Sequence, residues 1–313
     1  MLKTTVIIVN WNGRSWLQQC LPPLAAQTVK NFDILVVDNG STDDSIMWLA
    51  RNWPDIIVLP LEKNLGFAAA NNIGIRATDS PLVALLNNDT LVDEGWLEAL
   101  VTAVSPPQTG MVASQIVRWN QPHLLDSAGI QVDRAGIAWN RGWGQPIELA
   151  AAPCPVFGPS GAAALYRRDM LDEIGLFDED YFAYYEDVDL AWRAQRAGWT
   201  CHYAPDARVR HWHSATANKT PHYKNFLNGR NKLWTIMKNY DWPALFWAAP
   251  IIIAYDVMAT VYQTVNSRNL SPLRGRWQAV RAAKQMINKR QPARQKAPFS
   301  PLPFPGKQPP VAT

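Results

Sequence analysis

The sequence predicts an α/β protein with a mostly parallel central sheet and a helical extension at its C-terminal end. Three observations carry this. The first hundred residues alternate between four short aliphatic runs and three helical segments, and each run ends in polar residues. After residue 238 the pattern changes to one long apolar stretch followed by a basic one. With 313 residues, 48% of them apolar, the chain can bury a sizeable core.

The runs at 5–9 (TVIIV), 32–37 (FDILVV), 56–59 (IIVL) and 82–86 (LVALL) are too short for helices, and their composition is that of strands covered on both faces. Residues 15–27, 43–52 and 67–77 between them read as helices. Strand–helix–strand at this spacing makes right-handed βαβ units, whose ligands bind at the carboxyl ends of the strands. Those ends read Asn10-Trp11-Asn12, Asp38-Asn39-Gly40-Ser41, Glu62-Lys63-Asn64 and Asn87-Asn88-Asp89. Asn and Asp stop strands, so one such end is routine. Four on one sheet edge point to a site. The stretch 110–158, rich in Trp, Gly and Pro, yields no clear pattern. Residues 159–212 form a second structured block with a helix over 187–197.

A dinucleotide site needs a Gly-rich turn after the first strand, but Val9-Asn10-Trp11-Asn12-Gly13 holds one glycine, and no P-loop occurs. Phosphate must then be handled in another way, and carboxylate plus divalent metal is the obvious one. Mg²⁺ or Mn²⁺ is held by one or two carboxylates together with the substrate's own phosphates. Asp89, at the tip of a central strand, suits that role. The three cysteines are far apart, odd in number and without a CxxC, which excludes a disulfide framework or zinc ribbon and fits a reducing cytoplasm. Residues 1–20 lack the pattern of a signal peptide.

VIIVNWNGRSWLQQCL, VVDNGSTDDS, NLGFAAANNIG and LLNNDT, in this order, resemble the inverting family 2 glycosyltransferases of GT-A fold. FDEDYFAYYEDVDLAWRAQRAGW and VRHWHSA extend the resemblance, so that it covers residues 4–240. Its nearest branch is the rhamnosyltransferase-like enzymes of bacterial surface polysaccharide synthesis. The resemblance implies that Asp38 recognises the base or ribose of a nucleotide-sugar donor, with Asn10, Asn64, Asn72 and Asn88 in the same pocket. It makes Asp89 the last acid of an Asp-x-Asp metal motif whose first acid is here Asn87, and His211 the metal-side histidine. Asp187, beside Glu186, falls on the base position. The implied donor is dTDP-L-rhamnose, with UDP-sugars next, and the acceptor a glycan or lipid-linked glycan. The chemistry agrees: an inverting transfer needs a base for the acceptor hydroxyl, and a metal can neutralise the departing diphosphate.

Plainer readings stand beside these. Asp38 and Asp89 could simply end strands, and Asp187 could cap its helix. Asp189 has the spacing for an ion pair with Arg193. His213 competes with His211 as the metal-side residue. The aromatic run 181–185 could stack on sugar or fill core, and Trp192 suits packing. A sugar-nucleotide nucleotidyltransferase would want a Gly-rich, basic loop after the first strand, which Asn-Trp-Asn-Gly does not supply. A non-catalytic nucleotide-sugar binding protein would keep Asp38 without needing Asp187.

The net charge of +4 hides an asymmetry. Residues 264–313 hold ten Lys or Arg and no Asp or Glu, against 20 basic and 26 acidic side chains in the rest. Such a tail implies an anionic partner. Residues 242–265 have about the ~20-residue length of a spanning helix, but Pro250 interrupts them and Asp256 would be costly at mid-bilayer. Trp242, Trp247, Tyr255 and Tyr262 suit the headgroup boundary, and residues 274–290 add positive charge. The expectation is a catalytic domain over 1–240, a membrane-associating helical region over 241–290 and a disordered Pro-rich tail over 291–313. It places the enzyme peripherally on the inner face of the cell membrane, at an anionic surface, with no nucleic acid as partner. A soluble helical hairpin packed on the body is the alternative.

Overall fold

All four aliphatic runs are strands, and they lie side by side. The computed structural model describes residues 2–212 and 221–299. In chain order it runs β1 (Thr4–Asn10), α1 (Arg14–Ala25), β2 (Phe32–Asp38), α2 (Ser45–Asn52), β3 (Ile57–Pro60), α3 (Phe67–Arg76) and β4 (Leu82–Leu86). β3, β2, β1 and β4 are neighbours in that order, every pair parallel.

The continuation is β5 (Thr90–Val92), α4 (Trp96–Ala103), β6 (Thr109–Arg118), β7 (Gln121–Ser127), β8 (Ile130–Val132), β9 (Ala138–Asn140), β10 (Cys154–Val156), β11 (Ala163–Arg167), α5 (Arg168–Ile174), α6 (Glu186–Ala197) and β12 (Thr200–His211). β11 enters the sheet antiparallel between β4 and β6, and β12 lies parallel to β6. The stretch 110–158 therefore holds most of β6 and all of β7 to β10. Its irregular composition reflects short strands and register shifts rather than absence of structure.

Alternation along the strands explains why they read as apolar throughout. Ile7, Leu35, Val83 and Leu85 face one layer with Ala68, Ala70 and Ile75 of α3 and Leu190 and Trp192 of α6. Val6, Ile8, Val36 and Ala84 face the other, with Leu17, Leu21 and Leu24 of α1 and Trp96, Leu97 and Leu100 of α4. Each Val, Leu or Ile among them, fully buried, stabilises by about 1.5–3 kcal/mol. β3 departs from the expectation. As the edge strand it is covered on neither face completely, and Ile57 is exposed.

The chain ends in α7 (Pro221–Asn239), α8 (Trp242–Ser267), α9 (Ser271–Arg281) and α10 (Ala283–Asn288). α9 lies so close to α7 that a Cβ on Gly275 would collide with the Phe226 carbonyl. The start of the stretch expected to be disordered is packed on the body. Arg294 and Gln295 donate backbone N–H groups to Arg196, and Phe299 stacks on Tyr240. The rest of that stretch, 300–313, lies outside the described residues.

Candidate active site

Polar strand ends meet as the sequence suggests. Asn10, at the end of β1, is fully buried among three partners: its Nδ2 donates to Asp38 Oδ2 at 3.0 Å and to Ser41 Oγ at 3.3 Å, and its Oδ1 accepts from Asn88 at 2.8 Å. Asp38 Oδ1 accepts the Ser41 N–H at 2.9 Å, which folds the loop after β2 back over its own strand end. Asn12 sits in the left-handed region at φ 51, and its Oδ1 accepts the N–H groups of Thr42 and Asp43. Asn64 belongs to an adjoining pair: it accepts from Asn39 at 3.1 Å and from the Gly66 N–H at 2.8 Å. Gly66, at φ 88, has no room for a Cβ beneath the Phe182 ring.

Asn72 stands apart from this cluster. Its amide is committed to Phe177, through both backbone groups, and to Glu179 Oε1 at 2.9 Å. That makes it a clasp between α3 and the 177–179 loop.

The Asn87-Asn88-Asp89 turn leads into β5, whose pairing with β12 sets His211 opposite Thr90. His211 Nε2 lies 3.4 Å from Asp89 Oδ1, while its Nδ1 meets Asp126 Oδ2 of β7 at 2.8 Å. Burial would lower the imidazole's pKa, but the Asp126 and Asp89 carboxylates outweigh it and raise it to about 9. Asp126 thus fixes which ring nitrogen faces Asp89, as a carboxylate does behind many metal-binding histidines. His213 lies outside the described residues.

Asp187 is in the first turn of α6, not at its cap; Tyr185, at φ 69, occupies that position. Asp187 Oδ2 accepts the Gly161 N–H at 3.0 Å and Oδ1 accepts the Val188 N–H at 2.8 Å. The next residue after Gly161, Ala162, accepts the Asn87 N–H at 2.8 Å. Asp187 and the Asp89 turn are therefore hung on consecutive residues ahead of β11. Burial raises the pKa of both Glu186 and Asp187, Glu186 the more, with the Asp187 charge adding to its shift. Two N–H donors stabilise the Asp187 anion, whereas Glu186 Oε2 finds no partner among the described residues. Of the pair, Asp187 is the better stabilised as an anion.

Residues 5–175 match glycosyl transferase family 2. The chain belongs to that family. It is 29% identical over 263 residues to an N-acetylglucosaminyl-diphospho-decaprenol L-rhamnosyltransferase of Mycobacterium tuberculosis, covering 73% of this chain and 85% of that one. Among solved structures it resembles GalNAc-T7 with UDP, GalNAc and Mn²⁺, at TM-score 0.64 and 15% identity over 92% of this chain and 57% of that one. It also resembles the mannosyltransferase PcManGT from Pyrobaculum calidifontis with GDP-Man and Mn²⁺, at TM-score 0.55 and 17% identity over 92% and 87%. These share the GT-A fold. Membership favours sugar transfer over nucleotidyl transfer or a binding-only role.

Other candidates in the transferase resolve into structural parts. Asp189 is fully buried against Arg193 and Lys238, both at 2.9 Å, and Asn239 at 2.8 Å. Burial would raise its pKa, but Lys238 and Arg193 outweigh that and lower it to about 2. Trp192 is core, edge-on to Phe157 and Tyr240. The aromatic run divides: Tyr181 is fully buried, and Phe182, Tyr184 and Tyr185 are half-buried. Phe182 (φ 65, ψ −63) forms a γ-turn closed by Ala183 N–H to the Tyr181 carbonyl at 2.8 Å, a strained conformation. Asn12, Asn39, Ser41, Asp126 and Gly161 went unrecognised as site residues. Asn12, Asn39 and Ser41 stood in the polar strand ends; Asp126 and Gly161 carry no local signal at all.

Proposed function

We propose that the transferase moves L-rhamnose, from dTDP-L-rhamnose, to a lipid-linked glycan acceptor by single in-line displacement at the inner face of the membrane. The observation that carries the reaction type is the joint suspension of Asp187 and the Asp89 turn from Gly161 and Ala162. It ties a base to a phosphate-handling edge. Asp187 takes the proton of the acceptor hydroxyl. Its half-buried, raised carboxyl is a stronger base than a fully exposed one, and its two N–H partners fix its aim. Asp38, Asn10, Asn64 and Asn88 line the nucleotide pocket, and Asn72 supports it through the 177–179 loop.

A divalent cation, Mg²⁺ or Mn²⁺, fits between Asp89 and His211 Nε2, a hard carboxylate and an imidazole whose other nitrogen is taken by Asp126. Among the described residues no group of three or more His, Cys, Asp or Glu could hold a metal by itself, which suits an ion completed by the donor's diphosphate. Bound there, it would neutralise the charge of the departing nucleotide. The Mn²⁺ in both solved relatives supports this. Donor and acceptor rest on the mycobacterial relative, whose name gives L-rhamnose and a diphospho-decaprenol carrier.

The test is nucleoside diphosphate release from dTDP-, UDP- and GDP-sugars with and without Mn²⁺, alongside thermal shifts with the free nucleotides. Stabilisation by dTDP and metal-dependent release from dTDP-L-rhamnose are expected. Turnover of UDP- or GDP-sugars alone would overturn the donor assignment, and activity untouched by EDTA would overturn the metal.

A further inference from the structure

α8 carries its polarity the wrong way round for a helix on a soluble protein. Its outward positions follow the 3.6-residue period and are apolar: Phe246, Trp247, Ile253, Val257, Val261 and Tyr262 are 56–80% exposed. Its inward face holds the one charged residue of the helix, Asp256, which binds Arg276 of α9 at 2.9 Å and Lys232 of α7 at 3.4 Å. A contiguous exposed stripe of this kind on a monomer marks a contact surface. α9 prolongs it with exposed Leu273, Trp277 and Val280, between exposed Arg274 and Arg281. Arg281 lies over the Trp277 ring at 4.4 Å, and no Asp or Glu follows Asp256.

By length and composition α8 could cross a membrane. Crossing, however, surrounds a helix with lipid, and here one whole face is held by the protein. Ala244, Leu245, Ala248 and Ile251 pack on the core, and withdrawing Asp256 would take the carboxylate from two buried cations, Lys232 and Arg276. A helix apolar on one face and fixed to a folded body on the other, with cations beside it, fits a bilayer only lengthwise.

We propose that α8 and α9 are a monotopic docking face. α8 lies flat in one leaflet of an anionic bilayer, its outer stripe among the acyl chains, with Arg268, Arg274, Arg281 and Lys284 at the headgroups. This deepens the reading of a membrane-side transferase and rests on it. The docking face would hold the catalytic body at the surface where a lipid-linked acceptor resides.

The experiment is flotation of the full chain with phosphatidylglycerol-containing and pure phosphatidylcholine vesicles, without nucleotide, so that its failure leaves the sugar-transfer reading intact. Wild type is expected to bind the anionic vesicles. Combined Val257→Asp and Val261→Asp should reduce binding at least about tenfold with the circular dichroism spectrum unchanged, since both positions are exposed. Arg274→Gln with Arg281→Gln and Lys284→Gln should weaken binding about a hundredfold on anionic vesicles. Fluorophores on Ile253→Cys and Val265→Cys, each in a Cys154→Ser background, should be quenched by the same shallow spin-labelled lipid. Unchanged binding of the aspartate variant would overturn the proposal. So would equal binding of wild type to both vesicles, or a depth gradient along α8, the signature of a spanning helix.

Discussion

Glu186 and Asp187 are adjacent, the first buried and the second half-buried, and both are raised, yet the backbone treats them unequally. Asp187 receives the N–H groups of Gly161 and Val188, whereas Glu186 leaves Oε2 without a partner among the described residues, so Asp187 gains more from being an anion. Asp187→Asn is therefore expected to cut turnover by at least ~100-fold, the lower end for a positioned base, with nucleotide affinity retained. Burial and the Asp187 charge push the Glu186 carboxyl upward and disfavour its anion, so Glu186→Gln should keep turnover within about tenfold. Single-turnover transfer assays on both variants check the assignment, and equal losses would refute it. At Asp89, the Ala variant should weaken Mn²⁺-supported nucleotide binding while leaving the melting temperature near wild type, measured by calorimetry with and without Mn²⁺. Asp187 and Asp89 were legible because each stands in a dense local motif. Asp126 was not: it meets His211 across 85 residues, and nothing beside it in sequence announces the contact.

The element that leads into α6 and Asp187 is the 181–185 loop, and its geometry depends on α7. Three of its five residues have positive φ, at a cost of about 1–3 kcal/mol each. Asn231 Nδ2 lies within 3.0 Å of the carbonyl oxygens of Tyr181, Ala183 and Tyr184, and Arg230 binds those of Asp180 and Tyr181. Asn231→Ala removes these partners from buried carbonyls and is expected to destabilise by about 2–3 kcal/mol. Turnover should fall more than nucleotide affinity, which urea melts and binding isotherms separate. Below the loop, Asp189 anchors α6 to α7. Its carboxyl is lowered from 3.8 to about 2, so its stabilisation is complete above the unfolded value and disappears as pH falls through about 2. Asp189→Asn should lower stability at pH 7 and flatten the loss between about pH 4 and 2, seen by acid titration of the circular dichroism signal. Helices and parallel strands were legible from their periods. The 181–185 loop was not, since its strain is imposed by Asn231 some 50 residues away.

Across the whole molecule, the C-terminal helices form one unit with a packed face and a bare one. α9 and α10 pack on the body, while α8 leaves its outer stripe bare. Lys289 reaches back to Asp178 at 2.5 Å and Asp180 at 2.8 Å, and Ala279 and Met286 close a small core with Tyr181 and Trp234. Tyr181 opens the strained loop, so this packing runs from the C-terminal helices to the loop that leads into α6 and Asp187. The sequence marked the change of composition near residue 240, because composition is local. It could not mark the packing across that point, which depends on single side chains meeting at long range. A chain ending at Tyr240 would leave Asp178 with Lys238 alone and expose the Trp234 side of α7. Its melting temperature is therefore expected to fall by at least about 5 °C, the effect of roughly 2 kcal/mol in a chain of this size. Scanning fluorimetry on matched full-length and shortened chains measures it. An unchanged melting temperature would mean that α8 to α10 are an appendage carried by the catalytic domain, and a large drop that they are one of its walls.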